Sequence, residues 1–301
     1  MTLVTQSVMR ERFYATAAEL LDVHDRLAIV IAEIGGSALM AAKSRHPHRV
    51  INVGIREQLM VGVAGGLALA GLRPIVHSYA PFVIERPFEM LKLDLGHQDA
   101  GAVLVSVGAS YDSAASGRTH QSPEDVALVA ALPGWRIFVP GHADEADLLL
   151  RAAATDNDRV YLRLAEQSNA APRPIAPGHL HVERRGRDAT VIAVGPLLDP
   201  VREATADLDV TLLYATTVRP FDRAGLRAAA PRKNVILVEP YLAGTSSSEV
   251  DTALIDTPHR LLALGVPNTE FRHYGKWHEH NAAHGLDPAG IRARVLSFLG
   301  T

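Results

Sequence analysis

The chain has 301 residues, 48% of them hydrophobic and 21% charged, the make-up of a globular protein long enough for one large or two ordinary domains. Its 30 Lys and Arg against 33 Asp and Glu give a formal charge of −3 with no block of like charge, so neither a nucleic acid nor a membrane surface is an expected partner. Without cysteine there is no disulfide and no thiolate metal site, and the longest apolar run, Leu59 to Ala70, is too short to span a bilayer.

The first residues, MTLVTQSVMRERFYATAAELL, lack the basic and then apolar pattern of a secretory leader, and a cytoplasmic location is expected. From Leu27 onward, β-branched runs alternate with helical patterns. The runs are LAIVIAEI, RVINV, RPIVHSY, GAVLVSVG, WRIFVP and RVYLRL, then DATVIAVG, DVTLLYA, KNVILVEP and TEFRHYG. Between them lie the candidate helices EQLMVGVAGGLALA, SPEDVALVAAL, DEADLLLRAAA and PAGIRARVLSFL. Runs buried on both faces, separated by helices, predict an α/β fold with mainly parallel sheets. The stretch NAAPRPIAPGHLHVERRGRDA, rich in proline and polar residues, reads as a linker. Two mainly parallel-sheet domains are therefore expected, at residues 1–170 and 187–301, joined by a linker at 171–186.

Four places could carry chemistry. In GIREQ, Glu57 starts a helix directly behind a strand, where the helix dipole alone favours a carboxylate by about 0.3–1 kcal/mol. The dipole does not explain Gly62, Gly65 and Gly66 inside that helix, each costing about 1 kcal/mol against alanine unless something must approach the backbone. In SYAPFVIERPFEMLKLD, Phe82 and Phe88 stand on a strand-to-helix connection, where aromatics are usually core. In SVGASYDSAASGRTHQSPED a strand ends near Gly108, and a loop leads through Thr119, His120 and Gln121 to Ser122, an apparent helix cap followed by proline. Open α/β sheets place ligands at such strand ends. The fourth group is His273, His278, His280 and His284, for which metal binding is the less favoured reading: His278 and His280 lack the i, i+4 spacing and no HExxH accompanies them. No phosphate loop, GxGxxG or GxSxG occurs, which removes the main support for simple nucleotidase, dehydrogenase and serine-hydrolase readings.

Together, GGSA at 35–38, NVGIREQLMVGVAGGLALAGLRP, the Phe82 to Phe88 stretch, SGRTHQSPEDVALVAALPGWRIFVPGHADEADLL and YLRL closely resemble the transketolase family of thiamine-diphosphate enzymes. Their order matches that family's pyrimidine-binding domain followed by its C-terminal domain. The resemblance implies that Glu57, with Ile55 beside it, holds a ring nitrogen of the cofactor's aminopyrimidine, so that the ring's amine can deprotonate the thiazolium carbon. It implies that Phe82 stacks on that ring among small residues that admit it. Phe88 would replace a second aromatic, because Glu85 stands at the usual spacing. His120 is implied as the group near the donor carbonyl and Arg163 as the grip on a substrate phosphate. Ser116, Arg118 and Gln121 would line the donor pocket. Ser116 replaces an aspartate of the family pattern there, Arg118 offers an anion contact, and a histidine expected near Gly108 is absent.

The family's metal-binding GDG occurs nowhere in the 301 residues. The resemblance therefore implies one half of a split transketolase. A separate subunit would hold the diphosphate and its Mg2+ or Ca2+, in an α2β2 assembly acting on a sugar substrate. The expected activity is transfer of a two-carbon ketol unit between a ketose and an aldose. A pyruvate-using relative of 1-deoxy-xylulose-5-phosphate synthase, a 2-oxo-acid dehydrogenase beta-type subunit and a non-catalytic assembly subunit stay open as alternatives.

Overall fold

The apolar runs become strands because a strand buried on both faces has no solvent-facing positions to fill with polar residues. In the computed structural model, which describes residues 9–229, 233–270 and 272–300, the first sheet holds β1 (Leu27–Ile31), β2 (Val50–Asn52), β3 (Arg73–Tyr79), β4 (Val103–Val107), β5 (Trp135–Phe138) and β6 (Arg159–Arg163). They run parallel in the order β5-β6-β4-β3-β1-β2, and every residue of β1 and β4 is buried. Next come β7 (His181–Arg184), β8 (Ala189–Val194), β9 (Val210–Ala215), β10 (Thr217–Arg219), β11 (Asn234–Leu242) and β12 (Arg260–Val266). The second sheet has the order β12-β11-β8-β9-β7, parallel except for β7. β10 crosses back to pair antiparallel with β5 and becomes the seventh strand of the first sheet. The chain is thus an α/β fold with two mainly parallel sheets.

Some elements differ from the sequence reading. The edge beside β11 is taken by RLLALGV, and the described residues of TEFRHYG form no strand. Within the proline-rich stretch, HVER forms the short β7. An additional helix, Met9–Val23, buries Met9, Phe13, Ala17, Leu20 and Leu21 on one stripe, and it packs against the helix Ala143–Ala154. Ser122 is no helix cap: its N–H donates to the Ser110 carbonyl, and the helix begins only at Asp125.

The glycine-rich helix Glu57–Leu69 buries Met60, Val61, Ala64 and Gly65. What approaches its backbone is the chain itself, because a Cβ on Gly65 would lie 2.8 Å from the Asp94 carbonyl oxygen. The expectation that these glycines admit a flat ring is corrected at Gly65, while Gly66 faces open space. The same helix leaves Leu59 exposed, and Ile55 precedes it on the surface.

Three contacts fix the loop after β4 against the second domain. Leu242 N–H donates to the Pro123 carbonyl at 2.8 Å, Ser110 Oγ donates to the Pro240 carbonyl, and Tyr111 Oη donates to Asn281 Oδ1. No helix among the described residues is long and apolar enough to cross a membrane.

Candidate functional site

After β2 the chain turns at Gly54, where φ is +73°, and enters the helix at Glu57. A positive φ suits glycine, which has no Cβ to clash. Glu57 is only 5% exposed, and Arg86 Nη1 donates to its Oε1 at 2.8 Å. Arg86 follows the π turn Pro81–Glu85 that begins just beyond β3. Its guanidinium carbon lies 3.9 Å from the centroid of the Phe82 ring. Phe82 meets His120 edge-on at 5.0 Å and Tyr79 at 5.9 Å, and Tyr79 meets His120 at 5.6 Å. The fold therefore joins Glu57, Phe82 and His120, from three separate stretches, through Arg86 and Tyr79.

Other expected residues lie apart from this group. Ile55 is 73% exposed on the approach to the helix. Phe88 is half-buried against the core and has no ring contact with Phe82, Tyr79 or His120 among the described residues. Ser116 is exposed. Arg118 pairs with Glu124 at 2.5 Å, donates to the Gln121 carbonyl at 2.7 Å and lies 3.7 Å from Glu270, so its donors are committed within the chain. Gln121 is buried, and its amide reaches the His273 carbonyl at 3.4 Å. Arg163 also lies apart from this group. It is fully buried, its Nε donates to Asp125 at 2.7 Å and its Nη2 to Ser110 Oγ at 2.6 Å. Tyr161 Oη donates to the same Asp125 oxygen at 2.7 Å. The head that was to grip a phosphate is engaged in a buried ion pair.

Beside Tyr79, at the carboxyl ends of β3, β4 and β6, a cavity of about 190 Å3 is lined by Arg10, Gly108, Asp112, Ser113 and Glu166. Among the described residues Arg10 is its only basic lining residue, and it lies in the N-terminal helix that the sequence reading passed over. Its Nε donates to Tyr14 Oη at 3.0 Å, and Tyr14 Oη meets His77 Nε2 at 3.0 Å. His77 Nδ1 faces the Val105 carbonyl at 2.9 Å. A carbonyl only accepts, so Nδ1 carries the hydrogen and Nε2 accepts from Tyr14. Burial pushes the His77 pKa down to about 3, which keeps the imidazole neutral and this chain of bonds intact. Burial also raises the Asp112 pKa to about 7, although its Oδ2 accepts from the Ala109 and Glu166 amides.

Gly108, near which a histidine was expected, has no room for a side chain. Its φ is +71°, and a Cβ there would lie 2.4 Å from the Tyr79 ring. Tyr79 thus occupies space that a larger residue at 108 would need. Of the C-terminal histidines, His280 stacks on Tyr111 at 5.0 Å and 16°, and His284 lies 5.3 Å from the same ring. Burial lowers the pKa of His284 to about 4. Among the described residues no group of three or more His, Asp or Glu could hold a metal ion.

The model of the transketolase pyrimidine-binding domain matches residues 6–171, more than half of the chain. The chain belongs to the transketolase family. The transketolase C-terminal domain matches residues 178–291. The family is one of thiamine-diphosphate-dependent enzymes of transferase type. This transketolase-family chain is 50% identical to an uncharacterized 33.6 kDa protein in the fasciation locus of Rhodococcoides fascians, covering 96% of this chain and 94% of that one. It is 29% identical to an apulose-4-phosphate transketolase subunit of Actinobacillus succinogenes, covering 97% of each. It is 30% identical to the 1-deoxy-D-xylulose-5-phosphate synthase of Thermomicrobium roseum, over 96% of this chain but 48% of that protein. The chain thus spans about half the length of that synthase. Among solved structures, a split gene transketolase described as an inactive beta4 tetramer matches with a TM-score of 0.82 at 24% identity, over 97% of this chain and 98% of the other. Transketolase from Campylobacter jejuni matches with a TM-score of 0.79 at 18% identity, over 95% of this chain and 46% of that one.

Proposed function

We propose that this chain is the pyrimidine-binding subunit of a two-component transketolase, moving a two-carbon ketol unit between a phosphorylated ketose and an aldose. The observation that carries this reading is the convergence of Glu57, Phe82 and His120 on one face. The face fits the cofactor's ring, for a flat cationic group, the Arg86 guanidinium, already lies on Phe82 with an N–H on Glu57. An aminopyrimidine needs the same two things, an aromatic face and a carboxylate at its edge.

Bound thiamine diphosphate would supply the electron sink for breaking a carbon–carbon bond beside a carbonyl. The chain's own residues then orient and move protons. Glu57, buried behind β2, holds a proton at the ring nitrogen. Phe82 fixes the ring plane, and His120, edge-on to Phe82, donates to the reacting carbonyl. Arg10, held by Tyr14 and His77, receives the anionic end of the substrate in place of Arg163.

With no GDG in the sequence, the diphosphate and its Mg2+ belong to a partner subunit, in an α2β2 assembly. Full-length coverage of a relative named as one subunit of a transketolase supports this, as do the exposed Ile55 and Leu59 beside the site. The 30% identity to a 1-deoxy-D-xylulose-5-phosphate synthase supports a second reading, with pyruvate as donor. The test mixes the chain with its diphosphate-binding partner and offers hydroxypyruvate or pyruvate with aldose acceptors. Ketol transfer from hydroxypyruvate that Glu57→Ala removes bears the proposal out. Turnover of pyruvate alone favours the second reading, and activity that survives Glu57→Ala removes both.

A further inference from the structure

The two contacts assigned above to the cofactor's ring are both made by one side chain of the protein itself. Arg86 lays its planar guanidinium 3.9 Å over the Phe82 centroid and donates to Glu57 Oε1 at 2.8 Å. The guanidinium and an aromatic ring cannot both occupy this place, because the guanidinium covers the Phe82 π surface and bonds the Glu57 carboxylate at Oε1. Resting on the thiamine-diphosphate reading, the geometry points to Arg86 as a residue that sets cofactor affinity by competing with the aminopyrimidine for its seat.

Three features make the competition reversible. The Arg86 side chain is 46% exposed, whereas Glu57 beneath it is 7% exposed, so the guanidinium has solvent to move into and the carboxylate has not. The backbone on either side is held. The Arg86 N–H donates to the Pro81 carbonyl at 3.0 Å, and the Arg86 carbonyl accepts from Gln58 Nε2 at 3.3 Å. A rotation of the side chain alone therefore clears the seat. The π turn Pro81–Glu85 adds a residue to the helical repeat between Phe82 and Arg86. A π turn at such a place is a common companion of function.

The two contacts are also weak enough to exchange. A single-bonded ion pair with one half-exposed partner and a cation–π contact are each modest, so together they set an affinity rather than lock a conformation. While the Arg86 guanidinium lies on the Phe82 ring, an aminopyrimidine cannot stack at the same place, so displacement of Arg86 precedes seating of the ring.

The test titrates 4-amino-5-hydroxymethyl-2-methylpyrimidine, the cofactor's ring without its diphosphate, into the chain assembled with its diphosphate-binding partner, followed by calorimetry. Parent, Arg86→Ala, Arg86→Gln and Phe82→Ala chains are compared, with thermal unfolding of each as a check on folding. The expected result is an affinity for Arg86→Ala roughly three- to thirtyfold above the parent, the sum of a surface ion pair and a cation–π contact. Arg86→Gln falls between, and adding Glu57→Ala to Arg86→Ala abolishes the gain. Equal or weaker binding by Arg86→Ala overturns the proposal. If that equality comes with a loss on Phe82→Ala, the pyrimidine seat itself stands. If no chain binds the ring, the seat reading fails and the proposal with it.

Discussion

Two arginine–carboxylate pairs of nearly equal length behave as opposites. Arg86 meets Glu57 at 2.8 Å and Arg163 meets Asp125 at 2.7 Å. The Arg163 and Asp125 side chains are 1% and 0% exposed. That pair is further tied by Ser110 and Tyr161, with the Tyr241 ring 5.5 Å from the guanidinium. Removing two charges from water costs several kcal/mol per ion, so once formed such a pair stays. The Arg86 pair has solvent on one side and a single hydrogen bond, and it can open. One pair is framework and the other is exchangeable, and only the exchangeable one stands where a ligand could replace a partner.

The largest expected effect separates the pairs by what they lose. Glu57→Ala is expected to lower the ketol-transfer rate of the assembled enzyme by about 10²–10⁴, the range for losing a positioned proton-handling group, with a stability change under about 1 kcal/mol. A rate loss matched by an equal loss of folded protein would break the comparison. Asp125→Ala is expected to do the reverse, destabilising the chain by about 3–5 kcal/mol in urea unfolding, because it strands Arg163 as an uncompensated buried charge. Combining Asp125→Leu with Arg163→Met is expected to recover most of that loss. A double variant as unstable as Asp125→Ala would mean that the pair does more than satisfy its own charges.

Gly108→His is expected to cost about 1–3 kcal/mol through positive φ and the clash with Tyr79. Tyr79→Ala in the same chain should return part of it, and additive losses in the double-mutant cycle would show that the two positions are not coupled. A further prediction concerns pH dependence. The Asp112 pKa, about 7 folded against 3.8 ordinarily, means that the folded state holds this proton more tightly than the unfolded one. Asp112 therefore favours folding below about pH 4 and loses that contribution as pH rises towards about 7. Asp112→Asn is expected to flatten the fall in stability across this window, measured as unfolding midpoints at its two ends. An unchanged slope would place Asp112 in water.

Much of this arrangement could be read from the residues in order. Glu57, Phe82 and His120 each sit in a stretch with a strand before it and small or polar residues around it, and those surroundings mark strand-end loops. Arg163 could not be placed that way. YLRL reads the same whether the arginine head points into a pocket or into the core, and the partner that decides it, Asp125, lies 38 residues away. Arg86 escaped because its importance depends on the π turn that sets it over Phe82. Arg10 escaped because its helix precedes the first apolar run. In the fold, the long buried strands were plain, whereas β7 and β10, with four and three residues, show no run of their own and exist through pairing with β9 and β5.

The most direct test of the central claim is isothermal titration of thiamine diphosphate with magnesium, first into this chain and then into the chain mixed with its diphosphate-binding partner. The split-site account predicts tight binding in the mixture alone, lost on Glu57→Ala. Tight binding to the isolated chain, or binding to the mixture that ignores Glu57, would contradict it.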